Sequence, residues 1–345
     1  MKARACVIPV FVPNLGCPHQ CLFCDQRQIS GQKLTPDRQL VLDTAAPPPG
    51  LALPARGREL AFYGGSFTTI PLSLQEELLG AADEAYHLGW IDSLRLSTRP
   101  DAIDLPTLQR LKRHGVTTIE LGAQSMDDRV LKLSGRGHSA MDTVRAAKLV
   151  QAEGFHLILQ MMTGLPGDSG PESMDTAEKL CALRPDGVRI YPTVILKDTA
   201  LFHLWKRGAY REHGVEEAVE LCARIVPLFA AAGIPVIRLG LNPSDELSGG
   251  LAVGGAYHPA LGELVYSRIW RNRAEALLRQ VPPGSRVCIA VGEKRLSQMI
   301  GQHRENLVWL REHCLLSELK ILPEIGIGDE IRILSPATPD TAQNE

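Results

Sequence analysis

The sequence has no long hydrophobic run. No window reaches the roughly 18 uninterrupted apolar residues that a spanning helix requires, so no membrane segment is expected. It has no dominant charge either. With 37 Lys and Arg against 39 Asp and Glu the formal net charge is −2. That excludes a global pull toward nucleic acid and leaves such binding to a local basic face. The opening residues Met1 to Cys6 run into a strand-like segment without a cleavage site, so no secretory leader is expected. No Ser/His/Asp pattern and no internal repeat stands out. Free thiols in such a chain suit a reducing compartment, and a cytoplasmic location is expected.

What is there is ordinary globular composition, 44% hydrophobic and 22% charged, in a chain long enough for one large domain and a small one. There are eight cysteines. Cys6, Cys181, Cys222, Cys288 and Cys314 have no close cysteine neighbour and read as buried small hydrophobes. The other three stand together. Cys17-Pro18-His19-Gln20-Cys21-Leu22-Phe23-Cys24 follows the apolar run Val7 to Val12 and sets three thiols at C-x-x-x-C-x-x-C spacing. Three such thiolates wrap one corner of an iron–sulfur cluster. With no fourth ligand nearby, a [4Fe–4S] cluster would keep one iron open to a small molecule. Zinc is the competing reading, but a structural zinc site brings two C-x-x-C pairs or histidines at fixed spacing. His19 reads either as a ligand or as a loop residue held by backbone hydrogen bonds.

Short apolar runs alternate with longer helical windows, which predicts an α/β fold with a parallel sheet. Strands are expected over residues 5–9, 59–63, 93–97, 117–121, 156–161, 187–191 and 236–239. Helices are expected over 73–89, 105–114, 140–153, 173–183, 216–232 and 262–280. Gly89, Gly115, Gly154 and Gly233 fall where helical patterns stop, as C-terminal caps do. Sites in a parallel β/α barrel gather at the carboxyl ends of the strands, and each distinctive motif of this chain lies at such an end.

The motifs resemble those of the radical SAM superfamily. Phe62-Tyr63-Gly64-Gly65-Ser66-Phe67-Thr68 resembles the glycine motif that holds the amino group of S-adenosylmethionine. Glu120-Leu121-Gly122-Ala123-Gln124-Ser125 with Arg136-Gly137-His138, then residues 161–167 and 189–193, follow in the family's order. Ser97-Thr98-Arg99-Pro100-Asp101 and residues 201–210 carry a closer likeness to the radical SAM domain of the Elongator catalytic subunit, a tRNA wobble-uridine modifier. The resemblance runs roughly from residue 5 to 270. It implies a partial parallel (β/α) barrel of the radical SAM type, with Cys17, Cys21 and Cys24 holding the [4Fe–4S] cluster. S-adenosylmethionine contacts would come from Gly64, Gly65, Ser66, Ser97, Gln124, Arg136, Gln160 and Tyr191. Gly64 and Gly65 let backbone approach a ligand, and Arg136 could grip a carboxylate with two donors. Relatives often carry Glu where Ser97 stands and Asp near Gln160, so those two contacts depart from the family. Tyr191 reads equally as a packing residue of the barrel end.

The implied chemistry is homolytic: an electron from the reduced cluster breaks a carbon–sulfur bond, and a 5′-deoxyadenosyl radical takes a hydrogen atom from substrate. No acid–base pair is needed for that step. An RNA, with tRNA first, is the expected substrate, and flavodoxin or ferredoxin the expected electron donor; a small molecule or peptide substrate, or a non-catalytic iron–sulfur RNA-binding role, are the alternatives.

Past residue 281 the pattern becomes strand, helix, loop, helix, strand, strand. This resembles a KH module, whose G-x-x-G loop clamps a nucleic-acid backbone. Here the loop reads Gly301-Gln302-His303-Arg304, and the segment is slightly acidic, seven Lys and Arg against nine Asp and Glu. RNA binding and a structural cap are both open. The expected division is residues 1–280 for the barrel, 281–335 for a small α+β KH-like module and 336–345 for a disordered tail. The Elongator subunit carries an acetyltransferase domain after its radical domain, and the stretch after residue 280 is too short for one. Gly249-Gly250-Leu251-Ala252-Val253-Gly254-Gly255 with His258 reads either as a substrate-facing loop or as a flexible connection.

Overall fold

The computed structural model describes residues 6–12, 17–25, 34–48, 50 and 57–337. The first residue of the expected opening strand and most of the expected tail lie outside them. The chain divides into two compact units, residues 1–218 with 225–259, and residues 219–224 with 260 onward.

Seven parallel strands form the sheet of the first unit. They are β1 (Cys6–Val12), β2 (Arg58–Gly64), β3 (Ser93–Thr98), β4 (Val116–Gln124), β5 (His156–Thr163), β6 (Gly187–Pro192) and β8 (Val236–Leu239), side by side in that order. Every neighbouring pair is parallel. This is the expected open, partial (β/α) barrel. The later crossovers carry helices that the pattern predicted, including Leu72–His87, Leu105–Arg113, Ala140–Ala152 and Gly170–Ala182. Asp104 and Ser139 cap two of these by accepting backbone N–H groups, which offsets donors a helix start leaves unpaired.

Side chains alternate across the strands. One face is mainly apolar: Leu60, Phe62, Leu94, Leu96, Ile119, Leu121, Leu157 and Leu159 are all buried. The opposite face departs from the apolar composition usual in parallel strands. It carries Glu59 and Tyr63 on β2, Arg95 and Ser97 on β3, Glu120 on β4, Gln160 on β5, Arg189 and Tyr191 on β6 and Arg238 on β8.

Four short elements were not legible in the sequence: the helices Arg38–Ala45, Asp128–Leu133 and Ala200–Lys206, and a two-stranded antiparallel pairing of β7 (Val194–Leu196) with β9 (Ala252–Gly255). The glycine-rich run is therefore not a flexible connection. Its second half is β9, and Gly255 is required there, because at φ +78° a Cβ would lie 2.5 Å from the Thr193 carbonyl oxygen.

The second unit has its own core of Trp270, Ala274, Leu278, Val287, Ile289, Val291, Met299, Leu310, Leu316 and Leu319. Three strands, β10 (Arg286–Gly292), β11 (Glu318–Glu324) and β12 (Ile331–Ala337), lie in the order β11-β10-β12. β11 runs parallel to β10 and β12 antiparallel. Between β10 and β11 come the helices Leu296–Ile300 and Glu305–His313, as the pattern predicted. The compact unit begins near Ala260 rather than at residue 281, because the helix Leu261–Leu278 buries Trp270, Ala274 and Leu278 in this core. Asn306, 4% exposed, donates to the carbonyls of Ser267, Gln298 and Met299 and so ties that helix to the loop. His303 and Arg304 both take left-handed conformations, at φ 49° and 65°, in an exposed turn.

Among the described residues no helix is long and apolar enough to cross a membrane.

Candidate active site

The motifs come together at the carboxyl ends of the seven strands. β2 ends at Gly64, whose φ is +111° and whose hydrogen faces the Val12 carbonyl; a Cβ there would lie 2.9 Å from that oxygen. Gly65 then donates its N–H to the same oxygen at 2.8 Å. The two glycines thus close β1 against β2 immediately before the cysteine loop. Ser66 is 2% exposed and turns inward. Its hydroxyl lies 2.9 Å from the Thr98 hydroxyl and accepts the Arg99 N–H at 3.3 Å. This side chain joins the ends of β2 and β3.

At the end of β4 the register slips between Gly122 and Gln124. Gln124 sits at φ 65°, a conformation that costs a non-glycine residue about 1–3 kcal/mol and re-aims its side chain as a bulge does. Its Oε1 accepts from Gln160 Nε2 at 3.4 Å. A Cβ on Gly122 would meet Gln124 Nε2 at 3.0 Å and Arg136 Nη2 at 3.3 Å, so this glycine keeps the two side chains close to the strand.

Arg136 is the junction. It follows the helix Asp128–Leu133, is 7% exposed, donates from Nη2 to the Gly122 carbonyl at 2.6 Å and from Nη1 to Cys21 Sγ at 3.3 Å. Its Nε is buried with no partner among the described residues. Arg99 holds it from behind: Arg99 Nη2 donates to the Arg136 carbonyl at 2.5 Å, and Asp101 fixes Arg99 through two contacts at 2.9 and 3.0 Å. Sequence reading quoted Arg99 and Asp101 only as a likeness. Their supporting role depends on a turn that brings residue 136 beside the end of β3.

The cysteine loop is held on both sides of Leu22. Its N–H donates to the Ser134 carbonyl at 3.1 Å and its carbonyl accepts the Leu201 N–H at 2.8 Å. Phe23 and Tyr191 pack against Val130, Met162 and Leu165, so Tyr191 shares one apolar cluster with the loop. His19 is exposed and its ring lies over Gly137, where a Cβ would fall 2.2 Å from it. Cys17, Cys21 and Cys24 form no disulfide, Cys21 being buried and the others half-buried. Among the described residues no three His, Cys, Asp or Glu side chains assemble in a geometry that would hold a metal ion. Unligated thiols have no mutual attraction, and such sites are drawn together by metal. The donor set itself, three thiols with a guanidinium N–H aimed at one of them, fits an iron–sulfur cluster in kind.

Below the strand ends the inner face holds an ionic network. Glu120, 2% exposed, accepts from Tyr63 Oη at 2.9 Å, Arg95 Nη1 at 2.8 Å and Arg189 Nη2 at 2.9 Å. Arg95 also pairs with Glu59 at 2.5 Å, and Arg189 donates to Tyr63 Oη at 2.8 Å. Burial, reinforced by Glu120, raises the Tyr63 hydroxyl above its ordinary range, so it stays protonated. Ser97 lies on the same face, with Glu120 as its Cα partner. The sequence signal for this network was one charged residue inside each of several successive strands of a sheet that should be apolar.

His138 is 7% exposed, with Nε2 3.2 Å from the Ala123 carbonyl and Nδ1 without a partner among the described residues. Burial, then the nearby Arg136 and Arg99, push its pKa from 6.5 down to about 4. The folded value lies below the unfolded one, so its contribution is complete above the unfolded pKa and is lost as pH falls toward the folded one. Unfolding free energy is expected to drop by about 2 kcal/mol between pH 7 and pH 5. Urea titrations of wild type and His138→Gln check this, since the variant should lose that part of the slope.

The chain matches the family model described as the radical SAM superfamily over residues 11–180, and the radical SAM C-terminal domain over residues 185–271. It is 31% identical over 177 residues to the tRNA uridine(34) acetyltransferase of Methanocaldococcus infernus, a match covering 50% of this chain and 32% of that protein. It is 30% identical over 223 residues to an uncharacterized protein of Methanocaldococcus jannaschii, covering 61% of this chain and 67% of that one. The structure of the archaeal Methanocaldococcus infernus Elp3 with an N-terminal deletion aligns with 83% of this chain and 71% of its own, at TM-score 0.61 and 21% identity, a likeness of fold. The chain spans about a third of the first of these relatives. Two family models over most of the chain, and a strand order that places every matched motif at one end of one sheet, lead to one conclusion: the chain belongs to the radical SAM superfamily of enzymes.

Proposed function

We propose that the protein binds a [4Fe–4S] cluster through Cys17, Cys21 and Cys24, binds S-adenosylmethionine beside it, and modifies a base of an RNA, with tRNA the first candidate. The observation that carries this is Arg136, whose one guanidinium reaches both the cysteine loop and the end of β4. Cluster and sulfonium together supply, when bound, a one-electron carbon–sulfur cleavage whose carbon radical abstracts hydrogen. The chain's own residues bind and orient. Gly64 and Gly65 present backbone at the end of β2, Gln124 and Gln160 offer paired amides, and Arg136 gives a donor to a ligating sulfur and its orphan Nε to a carboxylate. Hydrogen bonds to cluster sulfurs also tune potential. Tyr191 and Phe23 keep water from one side. Ser66, whose hydroxyl also joins Thr98 and Arg99, stands beside the two glycines as a contact, and Ser97 lines the face below.

The similarity to a tRNA uridine(34) acetyltransferase favours tRNA as substrate. The α+β unit, with a loop at Gly301 to Arg304, is the proposed RNA-holding part, and a flavodoxin or ferredoxin the proposed electron source. Nucleoside mass spectrometry of tRNA from a deletion strain tests the substrate: one modified nucleoside should disappear, and an unchanged profile would count against tRNA.

Replacing Arg136 by Gln should weaken S-adenosylmethionine binding about ten- to a hundredfold, the worth of a charge-assisted hydrogen bond of about 1.5–3 kcal/mol. Equilibrium dialysis on the anaerobically reconstituted protein measures it.

A further inference from the structure

The inner face of the sheet carries an imbalance of charge. Glu59 and Glu120 offset Arg95 and Arg189. Arg238 on β8 is the Cα partner of Arg189, so it rises from the same face one strand further on. It is half-buried, and its Nε donates to the Gly240 carbonyl at 3.1 Å. Among the described residues no carboxylate pairs with it. Burial disfavours its charged form, the Tyr191 hydroxyl favours it, and the like charge of Arg189 opposes it. A partly desolvated cation beside a second cation is unfavourable unless an anion completes it. Neutral polar groups, Gln160 and Tyr191, stand on the same face.

We propose that Arg238 is the oxyanion anchor of the substrate pocket and that it takes a phosphate oxygen of the RNA with its guanidinium fork. The chemistry suits arginine, whose planar donors match phosphate geometry in a way an ammonium does not. Arg189 cannot serve, because Glu120, Tyr63 and Tyr191 already occupy its donors. The proposal rests on the RNA reading of the site. It adds which residue meets the backbone and on which strand.

The test uses the full reconstituted protein and the variants Arg238→Gln and Arg238→Lys. Arg238→Gln should weaken tRNA binding about tenfold, the loss of one charge-assisted contact. Its plot of log affinity against log salt should be shallower by about 0.7–0.9, the slope of one phosphate. Arg238→Lys should recover the slope but not the full affinity. Affinity for S-adenosylmethionine, by equilibrium dialysis, should stay within about twofold of wild type, since its carboxylate is assigned elsewhere. Wild-type tRNA affinity and slope in Arg238→Gln overturn the proposal. So does a selective loss of S-adenosylmethionine affinity, which would give the oxyanion to the methionine carboxylate. If wild type forms 5′-deoxyadenosine but binds no tRNA, the RNA reading fails by itself. Phosphorus NMR of inorganic phosphate then decides the anchor: broadening by wild type and not by Arg238→Gln supports it, and equal broadening overturns it.

Discussion

Glu120→Ala is expected to destabilise the protein by about 3–5 kcal/mol, because it leaves Arg189 buried without a carboxylate. Glu120 takes Tyr63, Arg95 and Arg189 from three neighbouring elements at 2.8–2.9 Å with 2% exposure. Arg95 keeps Glu59 and is less affected. The double variant Glu120→Leu with Arg189→Leu should therefore cost less than the sum of the single changes, since no uncompensated charge remains. Urea denaturation of the three proteins measures the coupling. Additive losses would mean that the pair contributes packing alone.

The second large effect is on iron. Changing any one of Cys17, Cys21 and Cys24 to Ala should reduce iron after anaerobic reconstitution from about four per chain to a small fraction, with loss of the cluster's visible absorbance. Cys6→Ala, Cys181→Ala and Cys288→Ala should leave both unchanged, since these thiols belong to other parts of the chain. Zinc binding by the same three thiols, with no iron retained, would return the site to the competing reading. The three sulfurs are the proposed ligand set because of their spacing and their neighbour. Arg136 already directs an N–H at Cys21.

Much of this was legible in the sequence, for identifiable reasons. The strands of the main sheet alternate with helices whose ends are marked by glycine. Gly89, Gly115, Gly154 and Gly233 indeed take positive φ, from 69° to 82°. Long periodic segments with clear stops fix element type well. The short helices Asp128–Leu133 and Ala200–Lys206 escaped, because six or seven residues give too little periodicity to read. β9 escaped because four of the seven residues from Gly249 are glycine, and its strand character comes only from pairing with β7. Propensity yields to tertiary context there. The site residues were chosen by motif, and the motif placed Arg136 and Gln124 correctly at one end of the sheet. It could not show that Ser66 points inward to Thr98, or that Arg99 carries Arg136 on its side chain. Those depend on how loops fold back, which no spacing encodes. The inner-face network was visible in principle as a single charge inside each of several adjacent strands, a local conflict of the kind that marks function.

The central claim is that the loop of Cys17, Cys21 and Cys24, with Arg136 beside it, builds a centre that cleaves S-adenosylmethionine reductively. The direct measurement is chromatography of the products after the protein, with its cluster verified, is mixed anaerobically with a strong reductant and S-adenosylmethionine. Formation of 5′-deoxyadenosine that is lost in Cys21→Ala is the predicted result. A verified cluster that yields none, with S-adenosylmethionine recovered intact, would contradict it.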